Sequence, residues 1–224
     1  MIPLSPRLLC CASMVRGDAV LDIGTDHALL PIYLIKSGKC DRIIATDIKE
    51  GPITSAKANI QKHEVQQSVA VMQSDGFRKV PDKGITDVVI AGMGGESIRD
   101  ILSAPDAAWV QRGTNLVLQP MTRAEVLRKW LAENGYTITK EVAVKDVHLY
   151  TVIQAHYTGE IRSLTDVEAY VGKLSLTDPM TRMYLATVQE RLHNKLEGIE
   201  QSETPEDVTD IRALIQGINA FMRK

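Results

Sequence analysis

The sequence predicts an α/β protein: a mostly parallel sheet that finishes in an antiparallel hairpin, followed by a tail made only of helices. Three observations carry this. Apolar, β-branched runs alternate with amphipathic helical stretches between residues 19 and 134, the order in which a parallel sheet covered on both faces is built. The stretch "YTITKEVAVKDVHLYTVIQAHY" (136–157) then holds two long strand patterns joined around Lys145–Asp146. They lie too close together for a helical crossover, so they pair antiparallel. From Gly159 onward only helical patterns remain.

Taken in order, Ser5 as N-cap and Pro6 as first helical residue open a short helix, since the N–H that proline lacks would be unpaired there anyway. Strand patterns follow at 19–23, 42–47 ("RIIATD"), 68–73 ("SVAVMQ"), 86–92 ("TDVVIAG") and 115–119 ("NLVLQ"), with helical patterns at 28–37, 52–62, 96–103 and 123–134. In the tail, Thr165 with Glu168 makes a capping box, Pro179 marks a second helix start, and Thr204-Pro205-Glu206-Asp207 marks a third. Met180, Tyr184, Val188, Leu192, Leu196 and Ile199 recur at helical spacing, as do Val208, Ile211, Ile215, Ile218 and Met222. The "QSETPED" turn between them predicts a coiled-coil-like antiparallel helical hairpin. Two domains result, 1–158 and 159–224. A Rossmann-like parallel sheet closing on an antiparallel hairpin resembles the class I S-adenosylmethionine (SAM) methyltransferases more than the plain dinucleotide fold.

With 44% apolar and 24% charged residues the chain has the composition of an ordinary globular protein, and its formal net charge of −2 excludes a globally basic nucleic-acid binder but not a local basic patch. Cys10, Cys11 and Cys40 are odd in number and include an adjacent pair, which fits a reduced, cytoplasmic protein. No metal-ligand spacing, secretory leader or membrane-length apolar run is read, so neither metal nor membrane is expected.

The chemistry concentrates at strand ends. "LDIGTDH" puts Asp22 at the end of the first strand, Gly24 in the turn, and Asp26 and His27 at the entry to a helix. A dinucleotide site would place a second glycine where Asp26 stands, because a pyrophosphate must approach the backbone there. SAM instead carries an ammonium and a sulfonium cation, which an acidic loop attracts. The plainer reading of Asp26 is a helix N-cap. Asp47 ends the second strand, 25 residues after Asp22, where a carboxylate can accept the two ribose hydroxyls of an adenosine; a solvated strand-end aspartate is the plainer alternative. "QSDGF" ends the third strand with Asp75 and Gly76, suited to an adenine amino group. "DVVIAGMGGESIRDIL" ends the fourth strand at Ala91, and Gly92-Met93-Gly94-Gly95 turn directly into a helix, leaving room near the backbone and free N–H groups.

The segments "LSPRL", "DIGTDHALLP", "ATDI", "SDGF", "AGMGG", "LVLQPM" and "LRKWLAENGY", together with the terminal helical hairpin, resemble the bacterial tRNA (adenine-N1)-methyltransferases that modify position 22 of the D-arm. The resemblance runs through the whole chain in order. It implies SAM as cofactor, bound by Asp22, Gly24, Asp26, Asp47, Ile48, Asp75, Gly76, Ala91, Gly92 and Met93. It also implies tRNA as substrate, with Asp26 and His27 as catalytic candidates. Where amino-methylating relatives carry an N-P-P-Y-like motif this chain has "AGMGG", which argues against methylation of an exocyclic amine. Adenine N1 carries a lone pair and no proton at neutral pH, so transfer to it requires positioning and electrostatics rather than a general base. The base must also leave its pair to reach the cofactor.

For RNA contact the candidates are Arg7, Arg16, Arg78, Lys79 and Lys83 near strand ends and Arg182, Arg191 and Lys195 on the hairpin; the plainer reading is a solvated charged face. Residues 159–224 hold 8 basic and 11 acidic side chains, which weakens a purely electrostatic account of RNA capture by the tail. Two other functions are compatible with the chain, an NAD-dependent oxidoreductase and a non-catalytic SAM-sensing interaction protein.

Overall fold

The computed structural model describes residues 2–82, 84–201 and 208–223. Lys83 and the expected turn and helix start at 202–207 lie outside them. Seven strands, β1 (Ala19–Ile23), β2 (Arg42–Asp47), β3 (Val69–Gln73), β4 (Asp87–Gly94), β5 (Asn115–Thr122), β6 (Tyr136–Lys145) and β7 (Leu149–Tyr157), form one sheet in the order β3-β2-β1-β4-β5-β7-β6. The first five pair in parallel, whereas β7 runs antiparallel to both β5 and β6. The chain therefore moves outward from β1 in one direction and from β4 in the other. That reversal leaves a crevice at the carboxyl ends of β1 and β4.

Alternation along the strands splits the core in two. Val20, Ile43, Ala45, Val89, Val117 and Val152 face α1 (Pro6–Met14), α2 (Leu29–Lys36) and α3 (Glu50–Lys62). Leu21, Ile23, Val88, Ile90, Leu116, Leu118 and Ile153 face α4 (Gly95–Ser103), α5 (Ala124–Glu133) and the 3-10 helix Pro105–Arg112, a segment without strong periodicity in the sequence. Every residue of β1 is buried, as a central strand covered on both sides requires.

The tail contains α6 (Asp166–Val171), α7 (Pro179–Glu200) and α8 (Thr209–Met222). The Thr165–Glu168 capping box is present, and the Asp178 side chain caps α7 by accepting from Met180 N. Arg182 reaches the Met222 carbonyl, Gln189 bonds Asn219, and Arg212 pairs with Glu200, so α7 and α8 run antiparallel. Leu185, Val188, Leu192, Leu214, Ile215 and Ile218 form their shared core. Ala143 of β6 belongs to that same core, which seats the helices on the sheet hairpin.

The tail is also tied down by one buried ion pair. Arg128 of α5 and Glu141 of β6 are 1% and 0% exposed and lie 2.7 Å apart. Arg128 donates further to the carbonyls of Ala169 and Tyr170, and Lys173 N donates to Glu141. Burial works against the charged guanidinium, yet the adjacent carboxylate holds Arg128 above its ordinary range.

Candidate active site

The crevice opens into a cleft of about 450 Å³ lined by residues from the β1, β2 and β4 ends and from α1. Its floor is the β1–α2 turn. Gly24 N and Thr25 N both donate to the Thr46 carbonyl, at 2.8 and 2.9 Å, which fastens this turn to β2. Gly24 has φ +80, a backbone conformation that favours glycine, and the Met93 methyl packs into the space a side chain would take. Asp26 (φ 51) and Ala28 (φ 55) occupy the left-handed region without being glycine, a strained arrangement that clusters at functional turns. The N-cap of α2 is Ala28, with no side-chain hydrogen bond. Asp26 is therefore not capping this helix, and the plainer of its two sequence readings falls away.

Across the crevice, β4 carries irregular pairing between Ala91 and Met93, with Gly92 at φ +81. Such a bulge re-aims the strand end. Gly92 N donates to Gln119 Oε1, and Arg7 Nη1 donates to the same oxygen at 3.0 Å. Arg7 Nε lies 3.5 Å from Asp146, so this guanidinium, expected on an RNA surface, instead forms part of the cleft wall.

Asp22, Asp26 and Asp47 converge on the cleft, as do Gly24, His27, Ile48, Ala91, Gly92 and Met93. Asp22 is 4% exposed, and its burial, reinforced by the charge of Asp47, pushes its carboxyl up to about 6. The neighbouring Thr25 side chain bonds Asp22 and works against that rise. A buried acid that shares a polar cleft with Asp26 and Asp47 fits a cationic, hydrogen-bonding ligand, and it does not fit a pyrophosphate. Lys49 N holds Asp47 Oδ1 at 2.9 Å, orienting the carboxylate. Ile48 is 57% exposed, a large apolar side chain offered to the cleft. Asp26 and His27 stand at the mouth, 3.7 Å apart and largely exposed.

Other expected residues lie elsewhere. Asp75 and Gly76 are not among those lining the cleft; Gly76 packs against Ile101 of α4, and the Asp75 carbonyl holds Arg78 N in a local turn. Gly94 and Gly95 do not leave open space for a ligand. A side chain on Gly95 would strike the Arg123 carbonyl, so this glycine lets the start of α4 touch the turn after β5, and one on Gly94 would sit in ordinary contact with Thr122 and Ser97. Arg16 precedes β1 and donates to Gln154 at the opposite edge of the sheet from the cleft. Arg78 and Lys79 are exposed after β3, whereas Arg182 is bonded to the Met222 carbonyl. Thr25, Lys49, Pro52 and Leu8 join the lining without any signal that picked them out in the sequence.

Residues 4–153 match the model of the family described as "Methyltransferase domain". The chain belongs to that family. The chain is 38% identical over 157 residues to the tRNA (adenine(22)-N(1))-methyltransferase of Bacillus subtilis, a match spanning 69% of this chain and 65% of that protein. Among solved structures, the B. subtilis m1A22 tRNA methyltransferase TrmK superposes with a TM-score of 0.79 at 27% identity, covering 100% of this chain and 97% of that one. TrmK of M. capricolum, solved with S-adenosyl-homocysteine, superposes with a TM-score of 0.81 at 27% identity over 98% of both chains. The helical tail, outside the family model, is thus included in the structural likeness. Among the described residues no helix is long and apolar enough to cross a membrane, and no three His, Cys, Asp or Glu side chains gather as a metal site.

Proposed function

We propose that this chain is a SAM-dependent methyltransferase that modifies N1 of adenine 22 in the tRNA D-arm, acting in the cytoplasm. The observation that carries the proposal is the acidic, glycine-turned cleft at the sheet's switch point, in a chain that superposes along its whole length on the B. subtilis enzyme of that activity. When bound, SAM supplies an electrophilic methyl group on a positively charged sulfur.

This chain's residues then position and shield. Asp47 accepts the ribose hydroxyls, Ile48 packs against the adenine ring, and the Ala91–Met93 bulge walls the opposite side. Asp22, with the Gly24 and Gly92 turns beside it, receives the ammonium end in its charged form, which the arriving cation favours. Adenine N1 attacks with its own lone pair, so no residue removes a proton. The product ring is cationic, and Asp26 at the cleft mouth stabilises the charge as it develops. His27 hydrogen-bonds the extruded base. Residues 1–158 form the transfer unit and residues 159–224 the RNA-docking unit.

The test is mass-spectrometric mapping of nucleosides after unmodified tRNA is incubated with the protein and SAM. N1-methyladenosine at position 22, dependent on SAM, is the expected result. SAM binding without any methylated nucleoside would replace this reading by the non-catalytic sensor. The NAD alternative predicts preferential affinity for NAD, which the three cleft carboxylates oppose.

A further inference from the structure

A second concavity, separate from the cleft, lies between the end of β5, the start of α5, β7 and the inner face of α7, with a volume of about 380 Å³. Its floor is apolar and aromatic: Tyr150 and Tyr184 are 7% and 5% exposed, and Val188 and Leu192 continue the same face of α7. Its rim is cationic. Arg123 stands on the β5–α5 side, while Arg191 and Lys195, four residues apart, project from one face of α7. Arg123 is engaged by Glu125 and Glu96. Arg191 bonds only the Thr187 carbonyl through Nε, and neither it nor Lys195 pairs with a carboxylate among the described residues. Tyr170 of α6 also lines the groove.

The groove adjoins the transfer site. Met93, on the cleft wall, pairs in register with Pro120, on the groove wall, and Gly94 pairs with Thr122. Adjacent strands are about 4.8 Å apart. The two hollows therefore meet at the paired ends of β4 and β5, and a strand whose base enters the cleft can run its backbone across that boundary toward the groove. We infer that this groove is an RNA-backbone subsite, in which Arg191 and Lys195 hold a phosphate within two nucleotides of the target adenosine while the tyrosine-lined floor takes the adjoining sugar or base. The inference rests on the tRNA reading above and places its docking surface at the seam between sheet and helices rather than at the tip of the helical hairpin.

The experiment measures tRNA binding with S-adenosyl-homocysteine present, so it does not depend on transfer. The double variant Arg191→Gln/Lys195→Gln changes only exposed side chains. It should weaken tRNA binding about tenfold and flatten the log–log salt slope by about one to two, with cofactor affinity unchanged within about twofold. Lys36→Gln, at the far end of α2, is the control for non-specific charge loss and should bind tRNA as wild type does. Single methylphosphonate substitutions at the phosphates flanking adenosine 22 supply the second arm. At one of them the substitution should weaken wild type severalfold and leave the double variant unaffected. Losses that add at every phosphate tested, a double variant that binds normally, a Lys36→Gln effect of the same size, or a loss of cofactor affinity would each overturn the inference. If wild type binds tRNA but leaves adenosine 22 unmodified, the proposed activity fails, and the binding arms still decide the groove.

Discussion

Replacing Glu141 by glutamine tests how the tail is fastened to the sheet. Glu141 Oε1 accepts from Arg128 Nε at 2.9 Å, Arg128 Nη2 at 2.7 Å and Thr151 Oγ1 at 2.6 Å, and Oε2 accepts from Lys173 N at 2.8 Å. Glutamine keeps the shape but removes the charge and one acceptor oxygen. Whichever way the amide settles, at least one of these donors meets another donor, and Arg128, 1% exposed, keeps a charge with no counter-ion. Taking one partner from a buried pair costs about 3–5 kcal/mol, a large share of the 5–15 kcal/mol or so that holds a typical protein folded. For a chain of this length the melting temperature should fall on the order of 10 °C. Thermal and urea unfolding followed by circular dichroism measure this directly. The double variant Arg128→Met/Glu141→Met removes the uncompensated charge and should recover part of the loss, the remainder being the cost of the Ala169 and Tyr170 carbonyls, Lys173 N and Thr151 Oγ1 left without their partners. Arg128 also holds the Ala169 and Tyr170 carbonyls, so Glu141→Gln should weaken tRNA binding before it weakens SAM binding. A Glu141→Gln protein within about 1 kcal/mol of wild type would refute the idea that this pair fastens the tail.

Asp47→Ala should cost SAM affinity about 1.5–3 kcal/mol, the worth of hydrogen bonds to a charged group, measured by calorimetry on a protein that stays folded; equal affinity would remove Asp47 from the site. Asp26→Asn should leave the melting temperature unchanged, because Asp26 does not cap α2 and asparagine tolerates the left-handed backbone, while methyl transfer falls strongly. Full activity in that variant would end its catalytic role. The Asp22 carboxyl is raised from 3.8 to about 6 in the ligand-free fold, so the folded chain holds this proton more tightly than the unfolded one. Its contribution to stability is complete below the unfolded value and is lost as pH rises through about 6. Binding a cation needs the charged form, so SAM affinity should drop up to about tenfold per pH unit below that value, with proton release on binding that Asp22→Asn abolishes. A flat affinity profile between pH 5 and 8 would exclude the coupling.

The sheet was legible because its central strands are apolar, β-branched-rich runs that burial on two faces explains, and Lys145–Asp146 leave no room for a crossover between the last two. Asp22, Gly24 and Asp47 were legible for a related reason: strand ends are marked in sequence, and a parallel sheet brings its carboxyl ends to one edge. What escaped depends on contacts between distant segments. Arg7 reaches the cleft because α1 folds beneath the ends of β4 and β5, a placement that no local pattern records. Arg128 and Glu141 each look like an ordinary surface charge until α6 closes over both. The glycines after β4 pointed to open space, and Gly95 instead admits the Arg123 backbone, since a missing side chain does not say which neighbour fills the gap. The division at 158/159 follows a real change in composition. Hydrogen bonds nevertheless cross it, with Gly159 N donating to the Gly135 carbonyl and Arg162 N to the Ala132 carbonyl.

The slightly acidic tail is the obstacle that composition raises against RNA binding, and the arrangement of charge along the sheet's carboxyl edge removes it. Screening in physiological salt confines the influence of an exposed charge to about 8 Å, so a polyanion responds to the groups beside it and not to a sum over the domain. On the β1–β2 side the carboxylates Asp22, Asp26 and Asp47 outnumber the cations Arg7 and Lys49, and Arg7 is itself paired with Asp146. On the β5–β7 side Arg123 is paired with Glu96 and Glu125, while Arg191 and Lys195 have no carboxylate partner among the described residues. The two fields meet across the paired ends of β4 and β5, at Met93 and Pro120. On the proposed reading, an RNA strand held by the cations keeps its phosphates out of the acidic cleft while its neutral base crosses the boundary. Methyl transfer then makes the adenine cationic beside Asp26, within the acidic half, while the phosphates stay in the basic one.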